Sequence, residues 1–177
     1  MRHLEITPET YELVPLNGKD NLSKAANQFQ LNSLEGGRNL IIFDADTVAT
    51  HGGFSRRLAE IQSIIEKYEL QVYGVFLYPN HHDDGIFENI LENILRQDLH
   101  QHWLDCYSDY EKCLGNDYLT PNLKGKLFTY ISAQKDISNT KRNKFGQGCW
   151  LFDNSSYWNL DSPYLGPLKD FLLKHLL

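Results

Sequence analysis

Asn39-Leu40-Ile41-Ile42-Phe43-Asp44-Ala45-Asp46 is the stretch on which the fold turns. Its four consecutive apolar residues form the kind of run expected of a strand buried on both faces. Asp44 and Asp46 follow, two positions apart. In extended backbone they point to the same side, and the small Ala45 points to the other. Downstream, apolar residues recur at Phe54, Leu58, Ile61, Ile65 and Tyr68, spacings of one helix face. Arg56, Arg57, Glu60, Glu66 and Lys67 are expected toward water. Val72 to Tyr78 reads as a further strand, stopped at Pro79, and a helix is expected from near Gly85. Upstream, Tyr11 to Leu16 reads as a short strand. Asp20 is placed to cap a helix bearing Leu22, Ala25, Ala26 and Phe29, stopped at Gly36-Gly37. Strand alternating with helix is the pattern of an α/β domain with a mainly parallel sheet in three layers.

The second half is expected to be mostly helical, with helices over Leu99 to Leu114, Leu123 to about Ser138, and from Pro163 to the end. Phe145 to Asp161 reads as irregular and holds two of the three Trp residues. The expected organisation is one domain over 1–177, with an α/β core at 11–96 and a helical extension at 97–177 packed on it. A chain of 177 residues is long enough for a core without staples. Three cysteines without a CxxC spacing argue against a disulfide framework or a zinc site. No apolar run is long enough to span a membrane, and no signal peptide is read at the N-terminus, so a cytoplasmic location is expected.

The net charge of −6 excludes a uniformly basic coat for nucleic acid or membrane. The charge is unevenly spread, however. Residues 81–120 carry nine acids and two bases. Residues 122–149 carry six bases (Lys124, Lys126, Lys135, Lys141, Arg142 and Lys144) against Asp136 alone. An acidic cleft beside a basic flank suits a metal site handling a phosphate chain, although each lysine alone reads as a solvated side chain.

Ligands of open parallel sheets bind outside the carboxyl ends of the strands. Asp44 and Asp46 close one strand there. The loop Pro79-Asn80-His81-His82-Asp83-Asp84-Gly85 follows another, with Glu88 in the first turn beyond it. Oxygen ligands with room for water describe Mg²⁺ or Mn²⁺ better than zinc. The candidate ligands are Asp44, Asp46, Glu88 and Asp84, with Lys126 as a weaker candidate for phosphate. The plainer readings are helix caps for Asp83 and Asp84 and a dipole-complementing acid for Glu88. Adjacent His81 and His82 diverge and do not make a zinc site. Trp103, Tyr107 and Tyr110 read as core.

The run Leu40 to Asp46, preceded by Val14-Pro15-Leu16-Asn17-Gly18-Lys19-Asp20-Asn21-Leu22, resembles a TOPRIM-type domain. The subgroup it most resembles is the small proteins of the DUF3226 group, similar to the TOPRIM half of OLD-family nucleases. Phe76 to Glu88, Asp105 to Leu114 and Tyr157 to Leu173 also look like that group. The resemblance implies Mg²⁺ held by an N-terminal Glu and a DxD pair during phosphodiester chemistry. The DxD carries over onto Asp44 and Asp46, and an acid of the later helix onto Glu88. The N-terminal Glu does not carry over: Glu5 and Glu12 lie in no equivalent context, and too few residues precede Tyr11 for the expected strand and helix. Either the chain starts late, or a strand is missing and the catalytic set is incomplete; a first strand lost from the sheet edge is expected to favour a homodimer through that edge.

Three functions stay open. One is Mg²⁺-dependent chemistry on nucleic-acid phosphodiesters through Asp44, Asp46 and Glu88. Another is a catalytically incomplete module binding nucleic acid or a partner chain. The third is a phosphatase of the haloacid-dehalogenase type, with Asp44 as nucleophile and Asp46 as acid/base. Its weakness is that the only later acid pair, Asp83-Asp84, comes one unit too early.

Overall fold

The computed structural model describes residues 7, 10–144 and 149–176. The chain is mixed α/β and divides into two compact units, residues 1–90 with 163–177, and residues 91–162.

In the first unit, a 3-10 helix at Lys19–Ala25 leads into α1 (Ala26–Leu34), β1 (Leu40–Asp44), α2 (Phe54–Lys67), β2 (Gly74–Tyr78) and the start of α3 (Phe87–Asn93). The chain returns to this unit for a 3-10 turn at Pro163–Leu165 and α7 (Gly166–Leu176). The two strands are parallel, in register from Leu40 opposite Gly74 to Asp44 opposite Tyr78. The crossover through α2 is what parallel neighbours require. Side chains alternate between two apolar layers. Ile41, Ala45 and Leu77 pack with Leu22, Ile61 and Leu70, flanked by Phe29, Leu58 and Ile65 from the helices. On the opposite face the Phe76 ring lies 5.3 Å from that of Phe171 in α7. Buried Asn39 ties the start of β1 to its surroundings. Its amide donates to the Phe29 and Gln71 carbonyls and to Ser33 Oγ, while its Oδ1 accepts from Asn32.

The second unit holds α4 (Gln97–Leu114), α5 (Leu123–Ser132) and α6 (Asn139–Arg142). Asn122 caps α5 by accepting from the Gly125 N–H, and Ser138 caps α6. The Arg142 guanidinium folds α6 back onto the end of α5 by donating to the carbonyls of Ser132, Gln134 and Ile137. Its core is aromatic. Trp158 is buried between Tyr130, Trp150 and Phe152, and its indole N–H donates to the Trp150 carbonyl at 2.6 Å. Trp103 stacks on Tyr107. All three tryptophans thus lie within this unit.

Several sequence expectations need correction. Tyr11 to Leu16 is not a strand, so the described residues hold a two-stranded sheet in place of the broader one expected. Asp20 does not cap a helix; it lies inside the 3-10 helix, paired with Lys19. The second strand starts at Gly74 rather than Val72, because the chain is still irregular before the Tyr73 N–H reaches the Asn39 carbonyl. The helix expected from Gly85 begins at Phe87, and that expected to reach Ser138 ends at Ser132. Of the irregular stretch Phe145 to Asp161, residues 145–148 lie outside the described ones. Among the described residues no helix is long and apolar enough to cross a membrane.

Candidate functional site

The candidate carboxylates gather where β1 and β2 end. Asp44 is the last residue of β1, and its Oδ1 accepts the Phe87 N–H at 2.7 Å, tying the strand end to the start of α3. Glu88, the next residue of α3, lies close enough to Asp44 to repel it. Burial is the main force raising the Asp44 pKa, with Glu88 and Asp46 adding like charge; the Phe87 hydrogen bond and Arg57 oppose them. The result is about 6, against an ordinary value of 3.8. Burial likewise raises the Tyr78 hydroxyl, opposite Asp44 in register, to about 12, with the Asp44 charge adding to the effect.

Asp46 departs from the simple alternation. Its φ of 60° leaves the strand, and its backbone makes a two-hydrogen-bond bridge to Gly85 across the next loop. Its carboxylate is taken by Arg57, with Nη2 at 2.5 Å from Oδ2. Arg57 also reaches Glu60 at 2.6 Å, and Glu60 in turn lies within 3.5 Å of Lys19 and 3.1 Å of Arg56. Burial pushes the Glu60 pKa up, but Arg56, Lys19 and Arg57 outweigh it and hold it below the usual carboxylate range. Arg57 was expected toward water, yet it is only 7% exposed. The signal was present in the sequence: Arg57 is three residues after Phe54 and four before Ile61, on the same stripe that those apolar residues define. A buried cation on that stripe needs an anion beside it, and the partly exposed Asp46 supplies it.

The loop before α2 brings its backbone against this cluster. A Cβ on Gly52 would fall 2.3 Å from the Asp46 Cβ, so only glycine fits there. Asp84 Oδ1 accepts the Phe54 N–H at 2.7 Å, capping the start of α2. Asp83 pairs with Asn80 and His82. His81 stacks on Phe76 while its Nδ1 accepts from the Leu77 N–H, and His82 is exposed, so the two histidines diverge as expected. Among the described residues, no three His, Cys, Asp or Glu side chains form a group that could hold a metal ion as they stand. The structure therefore brings Asp46 and Glu88 within electrostatic reach of Asp44, with Arg57 paired to Asp46. Glu12 is exposed on the irregular segment near Tyr11, and Glu5 lies outside the described residues.

Lys126 belongs to the second unit. Its Nζ pairs with Glu92 at 2.7 Å and sits 6.0 Å from the Tyr107 ring centroid. A half-exposed pair of this kind is worth little. Lys126→Met is expected to lower stability by less than about 1 kcal/mol in urea unfolding. A larger loss would show that this pair anchors the unit. Of the three aromatics read as core, Tyr107 is buried and Trp103 half-buried, while Tyr110 is exposed at the surface.

Compared with known proteins, residues 1–177 match a family model described as "Protein of unknown function (DUF3226)". No curated protein and no solved structure matches the chain.

Proposed function

The chain belongs to the DUF3226 family, and on that premise we propose that its acidic end is a TOPRIM-like site for Mg²⁺- or Mn²⁺-assisted chemistry on nucleic-acid phosphodiesters. The observation that carries this reading is the joining of Asp44, Asp46 and Glu88 at the carboxyl ends of two parallel strands, with Asp44 hydrogen-bonded to the residue before Glu88. The proposal includes the finer fold: a three-layer domain of TOPRIM type, whose two observed strands have helices on both faces. A cytoplasmic location belongs to the same reading.

The donor set suits a hard cation. Mg²⁺ is commonly held by one or two carboxylates, with waters and substrate phosphate completing its shell. Asp44 and Glu88 are the residues to hold it: Asp44 spends one oxygen on a backbone N–H, and burial, with like charge from Glu88 and Asp46 added, raises its pKa to about 6. When bound, the ion would polarise a phosphoryl oxygen as a Lewis acid. Asp46 has a different task, holding the buried Arg57 through its ion pair. Arg57, with its planar donor fork, is the group in this cluster suited to a phosphate oxygen.

The Asp46–Arg57 pair also favours a second reading, a module that binds a phosphate chain without cutting it. It spends one DxD acid on a counter-ion, and the N-terminal Glu of the family pattern has no counterpart among the described residues. The two readings are separated by titrating the protein with Mn²⁺ by electron paramagnetic resonance and incubating it with supercoiled plasmid and Mg²⁺ or Mn²⁺. Mn²⁺ binding and nicking, both lost in Asp44→Asn, establish the first reading. Salt-dependent DNA binding without nicking establishes the second. Protein that neither binds Mn²⁺ nor retains DNA overturns both, and turnover of p-nitrophenyl phosphate by such protein would restore the phosphatase alternative.

A further inference from the structure

Among the described residues, β1 has one edge paired with β2 and no strand on the other. The Asn39 carbonyl and the Ala45 N–H face β2, so by the alternation of a parallel ladder the N–H and C=O groups of Leu40 and Ile42 face the open side. Along that side runs a groove of about 650 Å³. One wall is β1 from Leu40 to Phe43; the opposite wall is the irregular segment Tyr11 to Leu16; Phe29 of α1 and Leu172 and Leu176 of α7 complete the lining. Among the described residues no backbone hydrogen bond joins Tyr11–Leu16 to β1. Unpaired backbone groups beside an apolar groove are costly, and a strand is the element that satisfies both surfaces at once.

We infer that Tyr11–Leu16 is a strap that closes across this groove onto the edge of β1 as a third, parallel strand, and that closure fixes Asn17 at the rim of the acidic site. The occupant is the chain's own segment because it already forms the facing wall and is joined to β1 through a helical connection. Such a strand–helix–strand connection gives parallel pairing. Parallel pairing brings Leu16 and Asn17 to the end of the sheet where Asp44 lies. The turn after the strap is already anchored there: Lys19 pairs with Glu60, which holds Arg57. Asn17 and Gly18 have φ of 51° and 112°, a sharp corner held by the Asn21 amide on the Leu16 and Asn17 carbonyls, and the strap pivots on it. Pro15, which has no N–H, sets the phase. With Pro15 facing outward, Glu12, Val14 and Leu16 turn their N–H groups to β1, and the proline lies on the new outer edge, where a strand tolerates it.

Amide hydrogen exchange by NMR on the full chain tests this, and it reads the sheet edge independently of any cation or nuclease activity. The expected result is that the Ile42 N–H exchanges on the order of 100-fold more slowly than an open edge amide allows, independently of protein concentration. Val14→Pro removes the central donor and abolishes that protection while the Phe76 amide stays protected; Leu13→Pro, at an outward position, keeps it. An Ile42 amide that exchanges at the open-edge rate in the unmodified chain overturns the inference. Protection that grows with protein concentration also overturns it, in favour of a second copy at the edge. Should Val14→Pro unfold the unit, nuclear Overhauser contacts between the Val14 and Ile42 backbones in the unmodified chain decide the matter. Their presence supports closure, and their absence refutes it.

Discussion

Arg57→Met lowers the stability of the first unit by about 2–4 kcal/mol at neutral pH, the largest effect expected of any single change at the acidic site. Methionine keeps most of the stem's packing, so the loss isolates the charge. Without the guanidinium, Asp46 and Glu60 lose their buried partner, and Asp44 loses the positive charge that opposes its like-charged neighbours. Removing one partner of a buried pair leaves the other charge desolvated, which costs more than the pair itself contributed. Both acids remain partly exposed, which keeps the figure below that for a fully buried pair. The penalty shrinks as the pH falls toward about 4, because Glu60, held below the usual carboxylate range by its cations in the folded protein, then takes up a proton and needs no partner. Urea unfolding followed by circular dichroism at the two pH values checks both statements. A loss that is the same at both would assign Arg57 a packing role alone.

Asp44→Asn has the opposite sign. The folded pKa of about 6 lies above the ordinary 3.8, so the folded state holds a proton on Asp44 more tightly than the unfolded chain does. The stabilisation from that proton is complete below about pH 4 and is lost as the pH rises through about 6; above it, the folded protein carries an unfavourable charge. A shift of this size corresponds to about 3 kcal/mol, reduced to about 1–2 kcal/mol because the carboxyl group retains some solvent contact. Asparagine keeps an oxygen for the Phe87 N–H and removes the charge. The melting temperature is therefore expected to rise by about 3–6 °C near pH 7.5 and to change little near pH 4. A variant that melts lower at neutral pH would show that Asp44 is adequately paired when ionised.

These two expectations bear on what the sequence could tell. The apolar run before Asp44 marked β1, and the spacing from Phe54 marked α2 to within a residue, because strong periodicity survives any packing. The meeting of Asp44 and Glu88 followed from strand ends that face one way. What periodicity could not supply was the conformation after Ala45. The positive φ of Asp46 depends on the bridge to Gly85, about forty residues on, and only that bend lets the carboxylate reach Arg57. Tyr11–Leu16 shows the complementary case. Its composition is that of an edge strand, but pairing is a property of two segments and the segment alone carries no record of it.

The placement of the tryptophans gives the molecule a built-in division of optical labour. Trp103, Trp150 and Trp158 all belong to residues 91–162, whereas the acidic end contains none. Tryptophan emission is thus a signal from the helical unit alone, whereas the tyrosines are shared: Tyr11, Tyr68, Tyr73, Tyr78 and Tyr164 belong to the first unit and Tyr107, Tyr110, Tyr118, Tyr130 and Tyr157 to the second. A denaturation series that compares tryptophan emission with the far-ultraviolet circular dichroism of the whole chain therefore measures whether the two units come apart together or in turn, coincident transitions meaning together.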